Sequence, residues 1–241
     1  MNLYKNLSVV YHKMYQSLFD YDKEFDFYST VLHNFSVKSV LEYGCGTGNL
    51  ASRFLTSGFE YLGIDLNREM LDIAKKNLPN DNFVLGNLKT FQSDQKFDCA
   101  LITGRTISYL INNEEVLESF KSIAKNVKNN GVLIFDAIDA SSMFEDFDEE
   151  KKEITVGNYV RIGTSAPNLK TGWTWDWSSE YFEKKENELK SLGKDHAVVR
   201  AFIKDEIKLF LAMSGFELLE VIDKETYMWK SHYYVARKKQ S

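Results

Sequence analysis

The chain has 241 residues, the size of one domain with a full core, and its 44% hydrophobic and 27% charged residues are those of an ordinary globular protein. A net charge of −5 gives no basic footprint for nucleic acid, and the Arg237-Lys238-Lys239 run reads as a solvated tail. No stretch approaches the ~18 apolar residues of a membrane span, and the opening residues Met1 to Asn6 lack the apolar run of a signal peptide. The two cysteines, Cys45 and Cys99, fall in predicted core elements without Cys-x-x-Cys spacing, so neither a disulfide framework nor a metal site is expected. A cytoplasmic protein, monomer or homodimer, with no nucleic-acid or membrane partner is predicted.

With only two prolines and no Ser/Gly-rich linker, the chain is expected to be a single domain, 1–241, in four parts. Residues 1–37 form an N-terminal helical segment, in which Tyr21–Asn34 puts Phe25, Tyr28, Val31 and Leu32 on one helix face. Residues 38–137 form the core. There, apolar runs at Ser39–Tyr43, Tyr61–Asp65, Asn82–Leu85, Phe97–Thr103 and Val132–Ala137 alternate with helical patterns at Leu50–Ser57, Arg68–Asn77 and Glu114–Asn129. Such alternation predicts parallel strands joined by right-handed crossovers, and Asn129-Asn130-Gly131 is expected to stop the last helix before the fifth strand. Within the third part, residues 138–202, the stretch 153–202 switches to period-two alternation, as in Ile154-Val156-Asn158-Val160-Ile162 and Trp173-Trp175-Trp177, which predicts an antiparallel insertion after the fifth strand. Residues 203–241 supply a helix, Lys204–Ser214, and a closing hairpin, Glu217–Asp223 with His232–Arg237.

The densest chemical signal is Val40-Leu41-Glu42-Tyr43-Gly44-Cys45-Gly46-Thr47-Gly48-Asn49-Leu50. An apolar strand runs into three alternate glycines and then a helix. Alternate glycines let the backbone turn sharply and leave room for a ligand against the main chain, and the helix aims its free N–H groups and positive dipole end at that ligand. Asp65 ends the next strand, about 20 residues on, where a carboxylate can accept hydrogen bonds from both hydroxyls of an adenosine ribose.

On these residues the sequence resembles the class I S-adenosylmethionine-dependent methyltransferases. Leu41 to Gly48 is similar to the family's first motif and Gly63-Ile64-Asp65-Leu66-Asn67-Arg68-Glu69-Met70-Leu71 to its second. Gly86-Asn87-Leu88, Phe97-Asp98-Cys99-Ala100 and Gly131-Val132-Leu133-Ile134-Phe135-Asp136 extend the likeness over about residues 38–137. The resemblance implies an α/β fold of Rossmann-like, doubly wound type: a mostly parallel seven-stranded sheet with an antiparallel β insertion after strand five. It also implies S-adenosyl-L-methionine as cofactor and S-adenosyl-L-homocysteine as its product. Gly44, Cys45, Gly46 and Gly48 would pass beside the methionine part, with Glu42 near its ammonium group and Thr103 close by. Asp65 would hold the ribose, Leu66, Met70 and Leu88 would pack around the adenine, and Asn87 would stand where the family has an aspartate receiving the adenine amino group. Dinucleotide folds use G-x-G-x-x-G instead; the shorter G-x-G-x-G spacing, and a Glu42 that would oppose a pyrophosphate, favour a sulfonium cofactor.

Methyl transfer from a sulfonium needs water exclusion, alignment and, for some acceptors, a proton acceptor, so no fixed catalytic motif is expected. No cysteine is placed for cytosine C5 chemistry, and the Asn/Asp-Pro-Pro-aromatic run of amide and adenine N6 enzymes is missing after the fourth strand. The segment Ile102-Thr103-Gly104-Arg105-Thr106-Ile107-Ser108-Tyr109 found there looks like that of small-molecule methyltransferases, including sugar-amine and glycine-type N-methyltransferases, and implies Arg105 and Tyr109 in a pocket wall. Tyr11-His12-Lys13-Met14-Tyr15 resembles the same subgroup's aromatic lid, with Tyr11 over the reacting methyl; the alternative is a ring packed on the sheet edge. Trp173, Trp175 and Trp177 share a strand face with Tyr181, either as packing or dimer surface or, through Trp175, as a pocket roof that holds an alkylated amine. His196 and Arg200 point to one side of a strand, as a general base and an anchor for an anionic substrate, or as two exposed polar residues. Three functions are carried forward: N-methylation of a small-molecule amine, O-methylation of a hydroxyl or carboxyl compound, and a non-catalytic nucleoside-binding module.

Overall fold

A computed structural model describes residues 1–144, 147, 151–185, 188–226 and 228–240. Two helices, α1 (Ser8–Leu18) and α2 (Tyr21–Asn34), lead into β1 (Ser39–Tyr43). Then follow α3 (Asn49–Thr56), β2 (Glu60–Asp65), α4 (Arg68–Asn77), β3 (Phe83–Leu85), β4 (Phe97–Ile102), α5 (Asn113–Asn126) and β5 (Val127–Ile138). Where helices begin, short polar side chains take up the orphan N–H groups: Asp20 accepts from Lys23 N (3.0 Å) and Asn112 from Glu115 N (2.9 Å).

After a short helix, α6 (Ala140–Met143), come β6 (Lys152–Val156), β7 (Tyr159–Pro167), β8 (Thr174–Lys185) and β9 (Glu188–Arg200), then α7 (Lys204–Met213), β10 (Phe216–Lys224) and β11 (Ser231–Lys238). The seven-stranded sheet has the order β10-β11-β5-β4-β1-β2-β3. Strands β1 to β5 pair in parallel, and β11 runs antiparallel to both β5 and β10. Strands β6 to β9 form a separate antiparallel sheet.

Both faces of the large sheet are covered, so its central strands are buried on each side. Along β4 and β5, Cys99, Leu101, Val132 and Ile134 pack toward α2, α3 and α4, whereas Ala100, Ile102, Leu133 and Phe135 pack toward α5 and α7. The four-stranded sheet has its own core, in which Trp175, Trp177 and Val199 meet Ile138, Ala140 and Met143 at the end of β5. A fourth cluster fastens the N-terminal segment to it, through Leu3, Leu7, Met14, Tyr15 and Tyr181.

Three local expectations are corrected. Helix α5 stops at Asn126, and residues 127–131 belong to β5, which carries a bulge opposite Phe97–Cys99 with Asn130 at φ 63. The Ile154–Ile162 run is a hairpin, β6 and β7 joined at Gly157-Asn158, because a left-handed Gly157 (φ 56) turns the chain. Trp173 precedes β8 and is 40% exposed, so the shared face is that of Trp175, Trp177 and Tyr181.

Candidate active site

The order of strands reverses between β1 and β4, and the crevice beyond their carboxyl ends is where an open α/β sheet binds ligands. Strand β1 is buried throughout and ends at Tyr43. There Gly44 turns at φ 74, and its N–H and that of Cys45 both donate to the Ile64 carbonyl (2.8 and 3.0 Å), which ties the loop to β2. A Cβ on Gly44 would lie 2.6 Å from Thr106 Oγ1, so the loop can press against the segment after β4 only as glycine. Gly48 does a different job. At φ 80 it sits just ahead of α3, where a Cβ would meet Ala74 and Leu78 at 3.1 Å; it packs α3 against α4 and does not line the crevice.

Two carboxylates flank this loop. Glu42, 2% exposed, accepts from Tyr61 OH on Oε2 (2.5 Å) and from Thr103 Oγ1 on Oε1 (2.6 Å). Burial pushes its pKa up, with nearby Asp65 adding to the rise and the two hydrogen bonds opposing it. Asp65, 7% exposed, accepts from Gly46 N on Oδ2 (3.0 Å), and on Oδ1 from Asn67 N (2.8 Å) and Asn67 Nδ2 (3.2 Å). Its pKa is also raised by burial, against those hydrogen bonds. Carboxylate oxygens keep further lone pairs, so both groups can still accept from a ligand.

The crevice opens into a cavity of about 420 Å³, the size of a small-molecule site. One half is lined by Glu42, Gly44, Cys45, Gly46, Asp65, Leu66, Met70, Asn87, Leu88 and Thr103. The other is aromatic, with Tyr4, Tyr11, Tyr15, Tyr109, Trp177 and Trp229, joined by Arg105, Glu24 and Lys224. Tyr11 stacks on Tyr15 (4.3 Å between ring centres), and the hydroxyls of Tyr4 and Tyr109 are 2.6 Å apart. Asn87 lines the cavity, with its amide oxygen accepting Lys89 N–H at 2.9 Å.

Three residues expected at the acceptor lie elsewhere. His196 has a side chain 59% exposed and faces Asp176 at 3.3 Å on the outer side of the small sheet. Arg200 is fully buried under α7, bonded to Glu206 and to Asn113 Oδ1 (2.7 Å), so it is no anchor for a ligand. Trp175 is buried against Ile138 and Trp229 behind the cavity wall, and Trp177, one pleat along, reaches the cavity instead. The local alternation is as expected; which end of the face is covered depends on α6, α7 and the β10–β11 turn, remote in sequence.

Glu24, Lys224, Trp229, Tyr4 and Tyr15 were not expected at the site. Tyr15 lies one helical turn after Tyr11, a spacing that signals a shared face. Lys224 is the last residue of β10, and Glu24 occupies the first turn of α2, where an acidic residue is favoured whatever its role.

A family model described as a methyltransferase domain matches residues 40–131. Among curated relatives, a putative methyltransferase of Bacillus subtilis (YqeM) is 32% identical over 112 residues, 45% of this chain and 45% of that protein. The chain thus spans less than half that relative's length. A dTDP-3-amino-3,4,6-trideoxy-alpha-D-glucopyranose N,N-dimethyltransferase of Streptomyces venezuelae is 28% identical over 96 residues, 40% of each chain. Among solved structures, an S-adenosylmethionine-dependent methyltransferase from Clostridium acetobutylicum superposes with a TM-score of 0.83 at 18% identity, covering 99% of this chain and 100% of that one. The family match is thus confined to residues 40–131, and the fold of the chain is the Rossmann-like one of the S-adenosylmethionine-dependent methyltransferase on which it superposes. Among the described residues no helix is long and apolar enough to cross a membrane.

Proposed function

We propose that this chain, built on a methyltransferase domain, is an enzyme that transfers a methyl group from S-adenosyl-L-methionine to a small-molecule amine. One observation carries the reading: a glycine loop flanked by two buried carboxylates, Glu42 and Asp65, opens at the switch point into an aromatic chamber. That donor set suits a cofactor with a cationic ammonium, a cationic sulfur and a ribose diol, and it would repel a diphosphate. Glu42 holds the ammonium, Asp65 the two ribose hydroxyls, Leu66, Met70 and Leu88 the adenine faces, and Asn87 its edge. When bound, the cofactor supplies a methyl carbon already activated by positive sulfur.

The protein's own part is alignment and exclusion of water. We take residues 1–37 as a lid and residues 138–202 as a roof over the acceptor. In support, His12 Nδ1 lies 2.9 Å from Thr47 Oγ1 on the glycine loop, Arg161 donates to Tyr15 OH at 2.6 Å, and Asp195 accepts from Leu3 N at 3.0 Å. Burial lowers the His12 pKa, so the ring meets Thr47 uncharged at neutral pH. Tyr11, on the lid and lining the cavity, is taken to cover the reacting centre. The amine reading draws on the aromatic chamber, which suits an alkylated amine by cation–π attraction, and on the amino-sugar dimethyltransferase relative. The chain is taken to act in the cytoplasm, as a monomer or homodimer, without nucleic acid.

Calorimetric titration with S-adenosylhomocysteine, followed by a panel of amines, alcohols and carboxylic acids assayed for S-adenosylhomocysteine release, tests the proposal. Micromolar-range binding and turnover of amines is expected. Absence of binding would refute the cofactor site, binding without turnover of any acceptor would leave a non-catalytic nucleoside-binding module, and turnover of hydroxyl or carboxyl compounds alone would make the chain an O-methyltransferase.

A further inference from the structure

Behind the aromatic half of the cavity lies a charged cluster that the cofactor does not need. Lys224, at the end of β10 with its side chain 4% exposed, places Nζ 2.9 Å from Asp136 Oδ2 and 2.7 Å from Glu24 Oε1. The same ammonium lies 4.7 Å from the centre of the Tyr233 ring. An ammonium has three N–H bonds to give, and two carboxylates and a ring face account for them. Lys224 therefore has no donor left for a ligand. Asp136, fully buried, is equally committed: its other oxygen accepts Arg105 N–H at 2.9 Å.

Arg105 is the other cation at this end of the cavity, and it too is engaged. Its guanidinium donates to the carbonyls of Met228 (2.5 Å) and Trp229 (3.3 Å). Both Arg105 (φ 61) and Trp229 (φ 54) hold left-handed backbone conformations that side-chain-bearing residues seldom adopt. The two positive charges thus hold the walls in place, Lys224 between α2 and β5, Arg105 on the β10–β11 turn that presents Trp229. Glu24 differs. Its side chain remains 15% exposed, it lines the cavity, and besides Lys224 it receives a hydrogen bond from Tyr233 OH. With up to four lone-pair sites on the carboxylate, it can still accept. What a ligand meets here is an anion among aromatic rings.

We infer that Glu24 is the specificity-determining group of the acceptor site, and that the acceptor enters as a small organic cation, an ammonium whose N–H bonds Glu24 while its carbon frame lies among Tyr11, Tyr15, Trp177 and Trp229, and whose nitrogen gives up that proton, to Glu24 or to water, before its lone pair takes the methyl group. This rests on the methyltransferase reading, because it assigns the aromatic half of the cavity to the acceptor. It deepens that reading by disfavouring anionic acceptors: a carboxylate or phosphate would face Glu24, with Lys224 already committed to two carboxylates and Arg105 Nη2 turned onto the Met228 and Trp229 carbonyls. It also gives the Lys224–Asp136 pair its purpose, since a lone Glu24 at the cavity wall would bear the full cost of burial without a partner.

The test uses the full chain saturated with S-adenosylhomocysteine and two probes of one shape, benzylamine, protonated at pH 7, and benzyl alcohol, neutral. Calorimetric titration should show benzylamine bound more tightly. Glu24→Gln should weaken benzylamine by about tenfold, as for loss of a charged hydrogen-bond partner, and leave benzyl alcohol within about twofold. Glu24→Asp, which keeps the charge, should retain the preference for the amine. Wild-type protein that prefers neither probe or binds neither, or a Glu24→Gln variant that loses both alike or neither, overturns the inference. S-adenosylhomocysteine titrated into each variant first shows that the fold and cofactor half are intact. Failure of the wild type to bind it would sink the methyltransferase reading itself, a separate outcome.

Discussion

Asp65 is asked to grip a ribose and also supports the loop that forms the site, and the two duties can be separated. In the structure it accepts from Gly46 N, Asn67 N and Asn67 Nδ2, so it braces the glycine loop against the start of α4. Asp65→Ala removes a charged acceptor from two ligand hydroxyls. At roughly 1.5–3 kcal/mol for hydrogen bonds to a charged group, S-adenosylhomocysteine should bind about 10- to 150-fold more weakly. Asp65→Asn isolates the charge, since it keeps the size and one acceptor oxygen. The native carboxyl has a folded-state pKa raised by burial. A raised carboxyl pKa favours folding below the unfolded-state value and penalises it as pH rises through the folded-state value. At pH 7 the ionised group therefore costs stability. Ligand-free Asp65→Asn should melt at or above the wild type, while the rise in melting temperature produced by S-adenosylhomocysteine largely disappears. Calorimetry for the dissociation constant and differential scanning for both forms are sufficient. An affinity within about threefold of wild type, less than 1 kcal/mol, combined with a lower ligand-free melting point, would show Asp65 to be only a brace, and the ribose assignment would be wrong.

Glu42, with its pKa raised chiefly by burial, should gain a proton at a pH above the usual glutamate range, so S-adenosylhomocysteine affinity should fall on mild acidification. Glu42→Gln should bind weakly with a flatter profile, and an unaltered profile would assign the titration to another group. Asp98 behaves oppositely: burial alone would raise it, but hydrogen bonds from Lys128 Nζ, Lys38 N, Ser39 N and Ser39 Oγ hold its pKa at about 2. Its contribution, about 1–2 kcal/mol after solvent screening, is present above the ordinary aspartate value and lost as pH falls toward 2. Urea unfolding of Asp98→Asn should therefore differ from wild type at pH 7 and converge with it near pH 2, and a gap of equal size at both values would refute the linkage. His196→Ala should leave kcat for an amine acceptor within about threefold, because the side chain faces Asp176 outside the cavity; a larger loss would bring it into the reaction.

The parts of this molecule that could be read from the sequence are those whose causes are local. The β1 strand, its glycine turn and Asp65 at the end of β2 lie within one strand–turn–helix–strand unit, and each residue there answers to a backbone or ligand requirement visible at short range. The bounds of α2 and α4 fall where apolar spacing put them. The end of α5 does not. Asn129-Asn130-Gly131 supplies the expected left-handed residue, but residues 127–131 form a bulged extension of β5, in which Val127 is fully buried and pairs with Phe97 on β4. Hydrogen bonding across the sheet overrode a valid stop signal.

The acceptor half resisted reading for a related reason. His196 and Arg200 were assigned one face of β9 by alternation, and geometry agrees. But Glu206 and Phe210 on α7, with Phe202, close over Arg200 and turn a candidate ligand anchor into an internal brace. In the opposite sense, Glu24 and Lys224 are 200 residues apart and carry no shared motif; they meet only because β11 inserts between β5 and β10 and brings the end of β10 beside Asp136 and α2. The charge of each is ordinary in its own segment, an acidic first turn and a lysine at the end of a strand. What makes them a site is that Lys224, shared between Asp136 in the wall and Glu24, leaves Glu24 as the group of the three that lines the cavity with lone pairs to spare. That imbalance exists only in the folded chain, so the cofactor half follows from sequence order and the acceptor half from sheet order.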